Sequence, residues 1–291
     1  MRQILTKRHL HTLADFASSN VLLAFDFDGT LAPIVPDPST ARMRPATRRL
    51  LGQVAIRYPC VVISGRARHD LVRRVGSVPV FHLSGNHGLE PWAQDSSYPL
   101  KVQKWVRALE KRLAPYRGVV IEDKTYSVTI HYRHARQRRP ALAAIATAVG
   151  GLRGARLIGG KHAISLVPRG APTKGAALER ARRLLACDTA IYIGDDDTDE
   201  DAFTAGRADR LLAIRVGLKQ DSAARYRLKN QAEIDDLLAV LLACRPLRRA
   251  SVGRQASPPS LRFSEARRSA ERQDGRPAVS GRRQEDVKKS L

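Results

Sequence analysis

Asp26 and Asp28 stand two residues apart at the end of an apolar run, Leu22-Leu23-Ala24-Phe25, and are followed by Gly29 and Thr30. Residues two apart in a strand project from one face, so the two carboxylates repel unless a cation or a shared proton relieves them. At the carboxyl end of a strand, that is a reason to look for a metal-assisted active site. An Asp-Gly step alone is also an ordinary turn, so the pair needs partners. Ser64-Gly65-Arg66 follows the apolar run 60–63, and Gly194-Asp195-Asp196-Asp197-Thr198-Asp199 follows the run 190–193. Lys174 opens a helical stretch. A carboxylate nucleophile, a second carboxylate, a hydroxyl, a cation and an acidic metal site make the inventory that phosphoryl transfer from an ester needs.

Charge dictates how those groups divide the work. A phosphate monoester dianion repels an attacking carboxylate, so a divalent cation and a lysine must offset both. Hard oxygen donors such as Asp26, Asp28 through its backbone carbonyl, Asp195 and Asp196 suit Mg²⁺. Asp26 would attack phosphorus and form an aspartyl-phosphate. Asp28 would protonate the leaving oxygen and then deprotonate the hydrolytic water. Ser64 and the amides after Asp26 would hold phosphate oxygens, and Lys174 would bridge nucleophile and phosphate. Taken singly, Ser-Gly-Arg is a common turn and Lys174 a solvated lysine, and the acidic run 195–201 lacks the spacing of a calcium-binding EF-hand loop. It is their order along the chain, after these strands, that carries the phosphotransfer reading.

The elements that must position these groups follow from periodicity. Apolar spacing predicts a leading helix over 3–18 and a strand over 21–25. Three prolines between 31 and 38 require an ordered loop. A helix at 45–57 and buried strands at 60–63 and 80–83 follow, with a helix at 68–75 between the strands. Polar, Gly-rich Ser84-Gly85-Asn86-His87-Gly88 ends the third strand. The texture then changes: helix 100–114, strands 118–122 and 126–132, helix 139–149, strands 155–158 and 162–167. Helix-strand-strand twice over reads as an antiparallel sheet with helices on one face. Strand–helix alternation returns with helix 174–186, strands 190–193 and 211–216, and helix 232–242. The fold class is therefore α/β, a parallel Rossmann-like core (1–90 and 168–245) interrupted by an α/β cap (91–167). Every polar cluster sits at the carboxyl end of a parallel strand, where open α/β sheets bind ligands.

Composition bounds the alternatives. Hydrophobic residues make up 43% of the 291 residues, which excludes wholesale disorder. The formal net charge of +23 raises the question of polyanion or nucleic-acid binding. Residues 245–291 hold 13 Lys/Arg against 5 Asp/Glu, and from 246 onward the chain reads as a disordered basic tail. Its single aromatic, Phe263, signals no base stacking, so only nonspecific, salt-sensitive binding is expected of it. Three scattered cysteines, Cys60, Cys187 and Cys244, show no metal-ligand spacing and no disulfide framework. No apolar run approaches a membrane span, and the N-terminus lacks a signal core. A cytoplasmic monomer is the expectation.

Asp-Phe-Asp-Gly-Thr-Leu (26–31), Ser64, Lys174 and Gly-Asp-Asp (194–196) resemble the four motifs of the haloacid dehalogenase superfamily. More narrowly, the chain resembles trehalose-6-phosphate phosphatases. The carriers are residues 28–38, Ser-Gly-Arg (64–66), Gly-Asn-His-Gly-Leu-Glu (85–90), Glu122-Asp123-Lys124, His131-Tyr132-Arg133 and Gly-Asp-Asp-Asp-Thr-Asp-Glu-Asp-Ala-Phe (194–203). The resemblance covers about 12–243 and implies Mg²⁺ dependence and release of trehalose and phosphate from a small sugar phosphate. It implies substrate contacts from Gly65, Arg66 and Asp199, from the cap residues Glu122, Lys124, His131 and Arg133, and from Asn86, His87 and Gly88 at the core–cap boundary. One departure stands out. Where the family commonly has an acidic, an apolar and a basic residue before the proline, this chain has Ser165, Leu166 and Val167 before Pro168. A phosphatase for another glycosyl phosphate, of sucrose- or mannosyl-phosphate type, therefore stays open.

Overall fold

In the computed structural model, which describes residues 1–93, 95–160 and 162–245, the chain opens with a short strand β1 (Arg2–Gln3) and helix α1 (Leu10–Ser18). Then follow β2 (Val21–Phe25), α2 (Pro45–Arg57), β3 (Cys60–Ile63), α3 (Arg68–Val75) and β4 (His82–Ser84). The insert comprises α4 (Tyr98–Leu113), β5 (Val120–Asp123), β6 (Val128–His131), α5 (Arg138–Gly150), β7 (Ala155–Gly160) and β8 (Ala163–Pro168). The chain returns through α6 (Lys174–Leu184), β9 (Thr189–Gly194), α7 (Glu200–Phe203), β10 (Leu211–Val216), β11 (Tyr226–Leu228) and α8 (Ile234–Cys244). The basic tail expected over 246–291 lies outside the described residues.

The first sheet is parallel, in the order β1-β11-β10-β9-β2-β3-β4. All five residues of β2 are buried, as an all-parallel strand covered on both faces requires. Val21, Leu23 and Phe25 pack into the layer that contains Leu51, Val54, Leu237 and Leu241, while Leu22 and Ala24 pack into the layer that contains Ala177, Leu178 and Ala181 of α6. Side chains alternate with period two, so Asp26, next in the even series, turns toward the α6 side, where Lys174 begins. The strand order reverses beside β2, with β9 on one side and β3 on the other. The residues just past the ends of β2, β3 and β9 thus open into one crevice.

The second sheet is antiparallel, ordered β5-β6-β8-β7. One face packs on the two helices through Val102, Trp105, Leu109, Val128, Ile130, Ile145 and Leu166. The alternate residues face the other way. Glu122 pairs with Thr129, Thr129 with Ser165, and Ser165 with Ile158, so one cross-strand row lines the cleft side of the sheet. The described residues belong to one compact unit.

Two differences from the expected elements have physical reasons. The leading helix starts at Leu10, not at 3, because Gln3 pairs with Arg227 on the sheet edge and Ile4 is wholly buried in the core. Strand β11 gave no periodic signal, being three residues long and defined by its pairing with β10. The cysteines carry no disulfide.

Candidate active site

Asp26 follows β2 directly, its amide donating to the Ile193 carbonyl of β9 (2.8 Å), which fixes the start of the loop against the neighbouring strand. Its side chain is 4% exposed. Lys174, 2% exposed, donates through Nζ to Asp26 Oδ1 (2.9 Å) and to Asp199 Oδ1 (2.7 Å). The lysine sits in the first turn of α6, capped by Thr173, whose hydroxyl accepts from the Ala176 amide. Burial alone lowers a lysine pKa, but here Asp199 and Asp26 outweigh it and hold the ammonium well above its usual range.

One ammonium does not balance the acids around it. Asp26, Asp195 and Asp199 each present an oxygen within 4.8 Å of the others. Burial first, and then the charges of Asp199, Asp195 and Asp28, push Asp26 well above the usual carboxylate range despite Lys174. Burial, followed by Asp199 and Asp196, pushes Asp195 up to about 7. Asp196 is raised as well, chiefly by burial. Asp195 Oδ1 is buried with no hydrogen-bond partner. Its carboxylate lies over Gly29, where a Cβ would come 2.0 Å from Oδ2, and Gly29 has φ +81°. Crowded hard oxygens with a deficit of positive charge and an unpartnered acceptor fit a divalent cation such as Mg²⁺. Asp199 fits that task less well. Its Oδ1 accepts from Lys174 and from Tyr192 OH (2.7 Å), its Oδ2 accepts from the Asp196 amide (2.9 Å), and it is wholly buried.

Sequence reasoning missed Arg215. This arginine, 6% exposed, donates to the carbonyls of Asp195 (2.5 Å) and Asp196 (3.0 Å) and to Glu200 (2.9 Å). It thereby braces the acidic loop from below. A charged residue inside the otherwise apolar run 211–216 is the signal that could have found it.

Asp28 is gripped by Arg66 in a bidentate pair, Nε to Oδ2 and Nη2 to Oδ1, both 2.6 Å. Arg66 also donates to Asp70 (2.8 Å) and to the Pro38 carbonyl (2.8 Å), so the proline loop, the Ser-Gly-Arg turn and α3 are tied together. Ser64 is buried (1% exposed) at the end of β3 and lines the cleft. His87 sits under Gly65, where a Cβ would fall 2.6 Å from its Cε1. Burial, then the charges of Lys174, Lys124 and Arg156, lowers the His87 imidazole well below its usual pKa.

A cavity of about 420 Å³ lies between the two sheets, with Asp26, Asp28, Ser64 and Lys174 at one end. Glu122, Lys124, His131 and Arg133 line the opposite wall, with Thr129 and Ser165 between them. Glu122 bonds His131 (2.8 Å) and lies 3.5 Å from Lys124, and these partners pull its carboxyl down against the opposing effect of burial. Lys124 donates to the Gly65 carbonyl (3.3 Å) and Arg133 to the Pro36 carbonyl (3.0 Å), so cap cations reach the core. Asn86 and Asp199, expected to touch substrate, do not reach this space. Both are 0% exposed, with their side-chain oxygens and nitrogens bonded to protein. Gly88 packs against the Thr173 carbonyl and is likewise buried.

The trehalose-phosphatase family model matches residues 24–232. The trehalose-phosphate phosphatase of Mycobacterium avium (strain 104) is 40% identical over 208 residues, covering 66% of this chain and 53% of that protein. That of Mycobacterium bovis (strain BCG / Pasteur 1173P2) is 36% identical over 252 residues, covering 77% of this chain and 62% of that protein. The chain thus spans little more than half the length of these curated relatives. Among solved structures, the C-terminal domain of Candida albicans trehalose-6-phosphate phosphatase aligns with TM-score 0.66 at 23% identity, over 84% of this chain and 98% of that one, and shares the fold. With the family model matched across well over half of its length, from the strand that delivers Asp26 to just past β11, this chain belongs to the trehalose-phosphatase family.

Proposed function

We propose that the protein is a phosphatase that hydrolyses trehalose 6-phosphate to trehalose and phosphate, through an aspartyl-phosphate on Asp26. The observation that carries this reading is the buried Lys174 bridging Asp26 and Asp199 beside the unpartnered oxygen of Asp195. Asp26 and Asp195, with Asp196 and the Asp28 carbonyl, would hold Mg²⁺. The bound ion supplies positive charge that offsets repulsion between the carboxylates and the phosphate dianion.

Asp26 Oδ attacks phosphorus while the bond from phosphorus to the sugar oxygen breaks, and that oxygen takes a proton from Asp28. Water then attacks the aspartyl-phosphate and gives a proton to Asp28, and the P–O bond to Asp26 breaks to release phosphate. Both Asp28 oxygens accept from Arg66, so this pair must open before Asp28 carries a proton. An incoming phosphate offers Arg66 other anionic oxygens. Lys174 keeps Asp26 oriented, Asp199 keeps Lys174 oriented, and Ser64 with Gly65 holds a phosphate oxygen. Residues 91–167 act as a cap whose Glu122, Lys124, His131 and Arg133 bind the sugar, while 1–90 and 168–245 form the chemical core. No described helix is long and apolar enough to cross a membrane, and we place the enzyme in the cytoplasm as a monomer.

Phosphate release from the purified protein across a panel of sugar phosphates, with and without Mg²⁺, tests the reading. Preference for trehalose 6-phosphate, abolished by chelation, is expected, and an active Asp26→Asn variant overturns the nucleophile. A second substrate reading, another glycosyl phosphate, draws on Ser165. It places a hydroxyl bonded to Thr129 (2.8 Å) where the family commonly carries an acid.

A further inference from the structure

The loop of residues 84–90 touches both halves of the proposed site. In the core it is bonded to the serine turn. The Ser64 amide donates to the Ser84 carbonyl (2.9 Å), the His87 amide to the Ser64 carbonyl (2.9 Å) and the Asn86 amide to the Arg66 carbonyl (2.7 Å). Gly88, at φ +103°, lets the loop meet α6, since a Cβ there would lie 2.6 Å from the carbonyl oxygen of Thr173, the residue before Lys174. The serine and the lysine are therefore indexed to the same loop.

The side chain of Asn86 leaves the core and enters the cap. Its Nδ2 donates to Glu90 Oε2 (2.6 Å) and to the Lys124 carbonyl (3.2 Å), and its Oδ1 accepts from Ser127 Oγ (2.5 Å). Lys124 and Ser127 are the two ends of the turn that joins β5 to β6, closed by the Lys124 amide donating to the Ser127 carbonyl (2.9 Å). Asn86 and Ser127 are both 0% exposed. The Glu90 carboxylate, which also accepts from the Arg68 amide at the start of α3 (2.7 Å), holds Asn86 from the core side. Gly85 leaves room for it, since a Cβ there would lie 2.7 Å from Glu90 Oε2. A buried network with every partner in place is stiff, and removing one member leaves the others unsatisfied.

We infer that Asn86, with Glu90 and Ser127, is a positioning device that sets the Lys124 hairpin against the Ser64 turn. It does so without touching the substrate. Phosphate contacts from the core and sugar contacts from the cap are thereby held at one separation, and this rests on the proposed reaction with a sugar phosphate. A substrate that engages both halves depends on that separation, whereas one that engages the core alone does not. Misplacement by about 1 Å costs such a two-ended substrate on the order of 100-fold.

The test compares Asn86→Ala and the gentler Ser127→Ala with wild type on trehalose 6-phosphate and on p-nitrophenyl phosphate, which carries no sugar for the cap. The expected result is a KM for trehalose 6-phosphate raised roughly 10- to 100-fold, with kcat/KM for p-nitrophenyl phosphate changed less than about threefold. In a Lys124→Ala background, Asn86→Ala should cost less than it does alone, because the Lys124 side chain is part of what the network positions. Equal losses on both substrates, or fully additive losses, overturn the inference. Hydrogen exchange on the ligand-free protein decides it independently of any substrate. Asn86→Ala should speed exchange in residues 120–131 and leave β2 and β9 protected, and unchanged exchange in the hairpin overturns the inference. If wild type cleaves p-nitrophenyl phosphate but not trehalose 6-phosphate, the substrate reading falls and the exchange result still stands or fails alone.

Discussion

Asp195→Asn is expected to stabilise the metal-free protein at pH 8 while destroying its response to Mg²⁺. In the folded chain, burial and then Asp199 and Asp196 raise the Asp195 pKa from 3.8 to about 7. An acid raised in this direction leaves stability intact below its unfolded pKa and removes it as pH climbs through the folded one. Wild-type metal-free protein therefore loses stability between about pH 4 and pH 7 from this residue. At roughly 1.4 kcal/mol per pKa unit, the loss is at most about 4 kcal/mol. Solvent access to the cleft and relaxation of the neighbouring acids reduce that figure. Even half of it corresponds to about 4–8 °C in Tm for a domain of this size. Asparagine has nearly the same shape and no charge, so the variant escapes the penalty. Thermal melts in EDTA at pH 4.5 and pH 8 measure this. Asp195→Asn should exceed wild type at pH 8 and match it at pH 4.5, and added Mg²⁺ should raise the Tm of wild type alone. An equal gain at both pH values, or no gain at pH 8, would refute the electrostatic account of the cluster.

Gly29→Ala should abolish activity, because its Cβ would meet Asp195 Oδ2 at 2.0 Å and the φ of +81° penalises any side chain. Phosphate release and a Tm measurement would together separate site damage from unfolding. Arg215→Met should weaken Mg²⁺ binding about 10- to 100-fold by releasing the carbonyls of Asp195 and Asp196. Titrating the Tm with Mg²⁺ reads this without turnover. Ser165→Glu puts an acid on the cross-strand row between Thr129 and Ile158. It should lower the KM for trehalose 6-phosphate if the cap binds that disaccharide, and an unchanged KM would favour another glycosyl phosphate.

Parts of this architecture are plain in the sequence for a definite reason. Strands buried on both faces must be continuously apolar, so 21–25, 60–63 and 211–216 stand out, and polar clusters at their ends mark the crevice. The cap was legible as a texture change because its strands alternate, Thr129 and His131 facing the cleft while Val128 and Ile130 pack on helices. Elements that exist only through pairing were not legible. Arg2–Gln3 and Tyr226–Leu228 are too short to show a period and are defined by their neighbours. In the site, residue types revealed Asp26, Asp28, Ser64, Lys174 and the acidic loop. Contacts across the chain were hidden. Nothing local to Asn86 or Asp199 says that each is buried and spent on protein partners, and nothing local to Asp28 names Arg66 as its grip.

The global charge of the chain points away from its chemistry. With 51 Lys/Arg against 28 Asp/Glu, a polyanion binder is the obvious thought, yet the cleft is built the other way at its core end. Asp26 and Asp199 share one ammonium, an oxygen of Asp195 lies within 4.8 Å of theirs, and Asp28 and Asp196 line the same cavity. Two guanidinium groups flank these acids without offsetting Asp26, Asp195 and Asp199: Arg66 pairs with Asp28 and Asp70, and Arg215 grips backbone carbonyls and Glu200. The cap cations that line the same cavity, Lys124 and Arg133, are engaged with the Gly65 and Pro36 carbonyls. The acids therefore need a cation delivered locally. A phosphate ester, itself an anion, adds to that repulsion unless a cation offsets it. Metal before substrate is thus the order that the local charge favours, whatever the sign of the protein as a whole, and initial-rate kinetics at varied Mg²⁺ and substrate check it.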